Sequence, residues 1–220
     1  ALRRKIRAAR RAMPPAERAA AYAAIVRNIQ RSREFRSAEH IALFMAFDGE
    51  PTLTPLFRAA AAAGKRLYAP VITRRHMHFA EIDARSALDS NFFGILEPSL
   101  GRRIDARQLD LVLTPLVAFD DHGVRVGVGR GYYDRCFRFL HTREQWRRPK
   151  LLGVAYELQR VPPLPPQHWD VPLYGAVTEG GKRIVYEARE RLALVAFVER
   201  DRAKLAAELE AASGQLERAR

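Results

Sequence analysis

The sequence predicts an α/β layered fold with a mostly parallel sheet flanked by helices, plus a C-terminal helical extension. Three observations predict it. Short apolar runs without a helical period alternate with stretches whose apolar residues recur at helical spacing. Asp, Gly and Pro clusters separate the two kinds of stretch. After Gly180-Gly181 the helical period continues to the end of the 220 residues. Strand-helix alternation of this kind points to parallel strands joined by helical crossovers, with functional loops at the strands' carboxyl ends.

Each element has its own signal. Residues 2–13 read as a helix, with Leu2, Ile6 and Ala9 on one side and arginines elsewhere; Pro14-Pro15 ends it. Residues 16–33 read as a second helix on the spacing of Tyr22, Ile25, Val26 and Ile29. Residues 40–47 form an apolar run without helical period, which predicts a buried strand broken by Asp48-Gly49-Glu50-Pro51. Residues 53–63 predict a helix that stops at Gly64. Further strands are expected over 66–71, 77–82, 110–115 and 151–156, with a turn at 120–123 and a helix over 132–141. The proline-rich residues 161–172 are expected to wrap the surface. The organisation is therefore one domain over residues 1–180 and a helical extension over 181–220. In that extension Val195, Val198, Leu205, Leu209 and Leu216 share a heptad-like seam interrupted by Arg202.

The hydrophobic fraction of 48% is enough for a core. No apolar run reaches the roughly 18 residues of a membrane span. No signal-peptide pattern is visible, so the expected location is cytoplasmic. The single cysteine, Cys136, excludes an internal disulfide and a cysteine metal cage, and its apolar helical neighbours read as packing. His76 and His78 alternate on a strand without a third ligand nearby and read as surface positions.

Net charge is +13, and residues 1–40 carry eleven Lys/Arg against three acids. A basic arm of this kind suits nucleic acid or an anionic small molecule. Residues 1–34 offer only Tyr22 as an aromatic, which argues against a nucleic-acid surface. The extension is nearly neutral, with nine basic and seven acidic residues from Lys182 onward. It suits docking or self-pairing, and the expected state is a monomer or a weak homo-oligomer through that helix.

The densest chemical feature is the run from Arg125 to Asp134, in which Gly127, Gly129 and Gly131 alternate. Glycine permits positive φ and close approach of a ligand, and successive exposed N–H groups cradle an anion. The helix expected from Tyr132 points its positive end at the same place. Arg125 and Arg130 add charge whose forked geometry matches phosphate oxygens. Asp134 is a candidate magnesium ligand beside such a cradle. The spacing is neither that of a P-loop nor that of a dinucleotide fold, so the glycines alone leave a plain strand-to-helix turn open.

With its flanks, the run closely resembles the signature of the 5-formyltetrahydrofolate cyclo-ligase family. The signature reads here as Leu113-Thr-Pro115, Phe119-Asp120, Gly123 and Arg125–Asp134. The resemblance extends to Leu2-Arg3, Met13-Pro14 and Glu17-Arg18, and to Asp48-Gly49-Glu50. It continues through Gly64-Lys65 to Pro70, Gly94–Pro98, Trp169–Pro172 and Thr178-Glu179, and so spans residues 2–180. The family places a Lys ahead of the Leu-Arg pair. The sequence starts at Ala1, and truncation is the simplest reading.

The resemblance implies ATP-dependent cyclisation of 5-formyltetrahydrofolate, with or without a polyglutamate tail, to the 5,10-methenyl form. It implies that Arg3, Gly127, Val128, Gly129, Arg130, Gly131, Tyr132 and Tyr133 hold ATP. Arg125, Arg130 and Tyr133 would serve the chemistry, and Asp134 and Asp170 would hold Mg²⁺. Met45, Glu50, Phe93 and Tyr132 would receive the folate. Two other readings compete: an ATP-binding relative of the same fold with another substrate or no activity, and a basic nucleic-acid-binding protein.

Overall fold

The computed structural model describes residues 1–74, 76–143, 148–181, 183–185 and 202. Contacts divide the chain into two units, Ala1–Val185 and Tyr186–Arg220. The heptad-like seam of the extension lies outside the described residues.

Helix α1 (Leu2–Ala12) is followed by α2 (Pro15–Arg31), whose Pro15 sits in the first helical turn, where no amide hydrogen is needed. Helix α3 (Arg33–Ser37) is capped by the Ser32 hydroxyl, which accepts from Phe35 N at 3.2 Å. The sheet begins with β1 (His40–Ala42). After α4 (Pro55–Ala62) come β2 (Arg66–Ile72) and β3 (Met77–Ile82). An excursion carries β4 (Leu88–Ser90), β5 (Leu96–Pro98) and β6 (Arg103–Ile104). Strand β7 (Leu111–Pro115) leads into the hairpin of β8 (Ala118–Phe119) and β9 (Arg125–Val126). Helix α5 (Tyr132–Phe137), β10 (Lys150–Val154), β11 (Gly175–Val177) and β12 (Arg183–Val185) complete the unit.

The main sheet runs β12-β11-β10-β7-β1-β2-β3-β6. Its middle five strands are mutually parallel, and β12, β3 and β6 pair antiparallel. The parallel strands are covered on both faces, which is why they read as continuous apolar runs. Leu111 and Leu113 face one core with Ile25, Ile29 and Leu56, while Val112 faces the other with Phe79 and Phe137.

Three sequence expectations change. Only residues 40–42 of the apolar run 40–47 pair as a strand. Phe44 and Met45 instead line a cavity beyond the strand's end. The helix expected over 132–141 is α-helical to Phe137 and tightens to a 3-10 turn over Arg138–His141. Residues 183–185, expected as helix, form β12: Gly181 (φ 69°) closes a turn by donating from its N–H to Thr178 O, and Ile184 pairs with Ala176 on the sheet edge.

Candidate active site

The carboxyl ends of β1, β2 and β7 open onto one cavity of about 520 Å³, where Met45, Ile72 and Pro115 line the floor. This is where an open parallel sheet places its ligands. The glycine loop forms one wall, and Phe47 and Glu50 of the turn after β1 contribute to another.

The loop is held by the hairpin beneath it. Asp120 is fully buried; its Oδ1 accepts from His122 N and Val124 N, both at 2.9 Å, and its Oδ2 accepts from Leu164 N at 2.8 Å. That carboxylate fixes the turn before β9 and ties the proline-rich segment to it, which gives the Phe119-Asp120 pair a structural reason. From above, Arg3 Nε donates to Gly127 O at 2.8 Å. Gly129 and Gly131 have φ of 100° and 62°. Val128, Gly129 and Arg130 are exposed, and their N–H groups donate none of the backbone hydrogen bonds among the described residues. Unengaged N–H groups on positive-φ turns are the makings of an anion cradle.

Arg125 is almost buried. Its guanidinium meets Asp134 Oδ1 at 2.6 Å and also donates to Val171 O, while Val171 N donates to the same Asp134 oxygen at 3.2 Å. Asp170 lines the cavity too. Burial raises the Asp170 pKa above the ordinary carboxylate value; the Gln167 N–H opposes this and the Asp134 charge adds to it. Asp134 and Asp170 line the same cavity, and carboxylate oxygens beside a phosphate cradle suit a divalent cation, so the residues present fit Mg²⁺.

In the turn after β1, Asp48 adopts a left-handed φ of 54° and binds Arg7, Arg10 and Arg11 of α1. Burial acts to raise its pKa, but hydrogen bonds from Arg11 and Arg7 and the charges of Arg7 and Arg10 outweigh it, leaving Asp48 at about 2. Burial pushes the neighbouring Glu50 up to about 7, against the Arg10 charge and the Phe47 N–H that stabilise the carboxylate. Tyr133, facing Glu50, is raised far above the ordinary phenol value, first by burial and then by that carboxylate.

Of the residues expected at the site, all but Phe93 line this cavity. Phe93 stands beside it, under the Arg130 guanidinium at 5.3 Å and edge-on to Tyr132 at 6.3 Å between ring centres. The model of the 5-formyltetrahydrofolate cyclo-ligase family matches residues 1–179. The chain belongs to that family. The 5-formyltetrahydrofolate cyclo-ligase of Haemophilus influenzae is 38% identical over 148 residues, covering 64% of this chain and 76% of that protein. The enzyme of the same name from Escherichia coli K12 is 38% identical over 148 residues, covering 64% and 78%. The solution structure of Aquifex aeolicus 5,10-methenyltetrahydrofolate synthetase superposes with a TM-score of 0.72 at 31% identity, over 84% of this chain and 90% of that one.

Within this cyclo-ligase fold, the sequence reading missed Arg10 and the role of Asp48. Arg10 lies four residues after Ile6 on the buried stripe of α1, and that spacing was the available signal. Trp169, Gln167 and Pro165 also line the cavity, on the segment read only as a surface wrap. Among the described residues no helix is long and apolar enough to cross a membrane.

Proposed function

We propose that this cavity converts 5-formyltetrahydrofolate and ATP to 5,10-methenyltetrahydrofolate, ADP and phosphate. One observation carries the reading: the glycine loop and Glu50 open onto the same cavity, so a triphosphate and a pterin can meet there. The formyl oxygen forms a bond to the γ-phosphorus as the bond to ADP breaks. N10 then attacks the formyl carbon, the carbon–oxygen bond breaks, and phosphate leaves with the former formyl oxygen while N10 gives up its proton.

Such transfer depends on positioning and charge neutralisation rather than on a protein nucleophile. In this reading the N–H groups of residues 127–131 take phosphate oxygens, with Arg3 and Arg130 adding charge. Arg125 holds Asp134 in place. Asp134 and Asp170 would hold Mg²⁺, which neutralises charge on the phosphates when bound. Glu50 accepts from pterin N–H groups, Met45 packs against the ring and Phe93 stacks at the cavity edge. Tyr133 stays a neutral hydroxyl and donates where nucleotide and folate meet; Tyr132 lies beside it.

Absorbance of the methenyl product, followed with and without ATP and Mg²⁺, tests the assignment. Product that appears only with both is expected. No ATP-dependent product from the folded chain overturns it.

A further inference from the structure

Arg10 is the most deeply buried charged side chain of α1, at 1% exposure, and the cyclisation reading gives it no task. Its fork is fully directed. Nε donates to Asp48 O at 3.0 Å, Nη2 to Asp48 Oδ2 at 3.1 Å and Nη1 to Leu116 O at 3.4 Å. Nη1 also lies 3.8 Å from Glu50 Oε1. The turn packs directly on α1 here: a methyl group added at Gly49 would stand 3.6 Å from Arg10 O. Arg10 thus joins α1 to the turn after β1 and to the end of β7, two edges of the cavity floor.

Arg10 holds Asp48, two residues before Glu50, by two hydrogen bonds and stands 3.8 Å from Glu50 Oε1, so it sets where the turn presents that carboxylate and favours its charged form. Other groups face Glu50 as well. Arg7 lies on α1, Asp48 on the same turn, Tyr133 on α5 and Tyr156 beyond β10. Of these Arg10 exerts the largest favourable influence on the carboxylate form, Asp48 opposes ionisation, and the two tyrosines are neutral. We propose that Arg10 is a positioning residue for the folate half of the site, holding the Asp48 turn, and with it the Glu50 carboxylate, in place and setting a positive charge beside that carboxylate. The inference rests on the reading that Glu50 receives the pterin.

Arg10→Met keeps the aliphatic stem and removes charge and fork. In the full chain it is expected to raise the folate KM about tenfold or more at neutral pH. The turnover number and the ATP KM are expected to stay within about threefold of the parent. The dependence of kcat/KM for folate on pH gives the sharper readout, because it reports groups of the free enzyme. Folate capture is present above the Glu50 pKa and lost as pH falls through it. Removing Arg10 raises that pKa, so the acidic limb moves to higher pH by about one unit. Arg10→Lys keeps one charge without the fork: the folate KM rises about threefold or more while the limb stays within about half a unit.

A limb unmoved in R10M, or turnover and both KM values worsening together, overturns the inference. Should R10M not fold, an unchanged folate KM in R10K overturns it. Glu50→Gln separates the two layers of the argument. A limb that vanishes in E50Q but stays put in R10M sinks the Arg10 inference alone. A limb that survives in E50Q sinks the underlying reading of Glu50.

Discussion

The two walls of the cavity are made in opposite ways. The glycine loop is exposed at Val128, Gly129 and Arg130, and it presents backbone N–H groups that the described protein does not use. In the turn after β1, Asp48 is saturated instead: Arg7, Arg10 and Arg11 all bind its carboxylate, and Arg10 is almost wholly buried. The first wall needs a ligand to complete its hydrogen bonds, whereas on the second the scaffold around Glu50 is in place before any ligand arrives. Preorganisation of that second kind lowers the ordering cost of binding, whereas an open cradle tightens around charge as it develops. The comparison predicts separable damage: changes to the cradle side should strike turnover and ATP, and changes to the turn should strike folate and stability.

The largest effect is expected where the cradle meets its carboxylates. Asp134→Ala removes one of the two carboxylates that fit Mg²⁺ and leaves Arg125, at 6% side-chain exposure, without its ion-pair partner. Turnover should fall about 10²–10³-fold, the scale of losing one preorganised electrostatic contact, with the folate KM within about threefold. Arg125→Ala should behave alike, because each residue holds the other. Steady-state kinetics showing near-normal turnover in both variants ends that assignment.

The turn is tested by Asp48→Asn, which keeps a residue type that tolerates the left-handed φ of 54°. Asp48 titrates at about 2 rather than at its ordinary 3.8. A depressed carboxylate contributes stability above its ordinary range and loses it as pH falls through its folded value. D48N should therefore cost about 2 kcal/mol at neutral pH. The gap to the parent should close as pH drops from about 4 toward 2. Denaturant midpoints across that range measure it, and a gap independent of pH contradicts the ion-pair account.

The same contrast explains what the sequence made legible. The cradle announces itself because alternating glycines, flanking arginines and an aspartate lie within ten consecutive residues, 125–134. The turn's partners lie forty residues away on α1, and Arg10 is one of eleven basic residues in the first forty, so composition hides it. Strands β2, β3, β7 and β10, each at least five residues long, carry readable apolar patterns. Strands β5, β6, β8 and β9 have two or three residues, too few to express a period, and exist because tertiary neighbours offer hydrogen bonds. Strand β12 failed for a related reason: its three residues sit inside a helical pattern that an edge pairing with β11 overrides.

The smallest effect sharpens the comparison most. Gly129 has φ of 100°, a conformation side chains disfavour by about 1–2 kcal/mol. A methyl group there would meet Arg3 Cζ only at 3.9 Å, an ordinary contact, so Gly129→Ala meets conformational strain and no clash. The loop is exposed and can relax, which turns the strain into a displaced cradle and leaves the fold intact. The ATP KM should rise about three- to tenfold while the folate KM stays within about twofold. That is the mirror image of the pattern expected for R10M. If G129A raised both KM values equally, the walls would be coupled and the division of labour between them would be wrong. If it raised only the ATP KM, the open wall would be the nucleotide's alone.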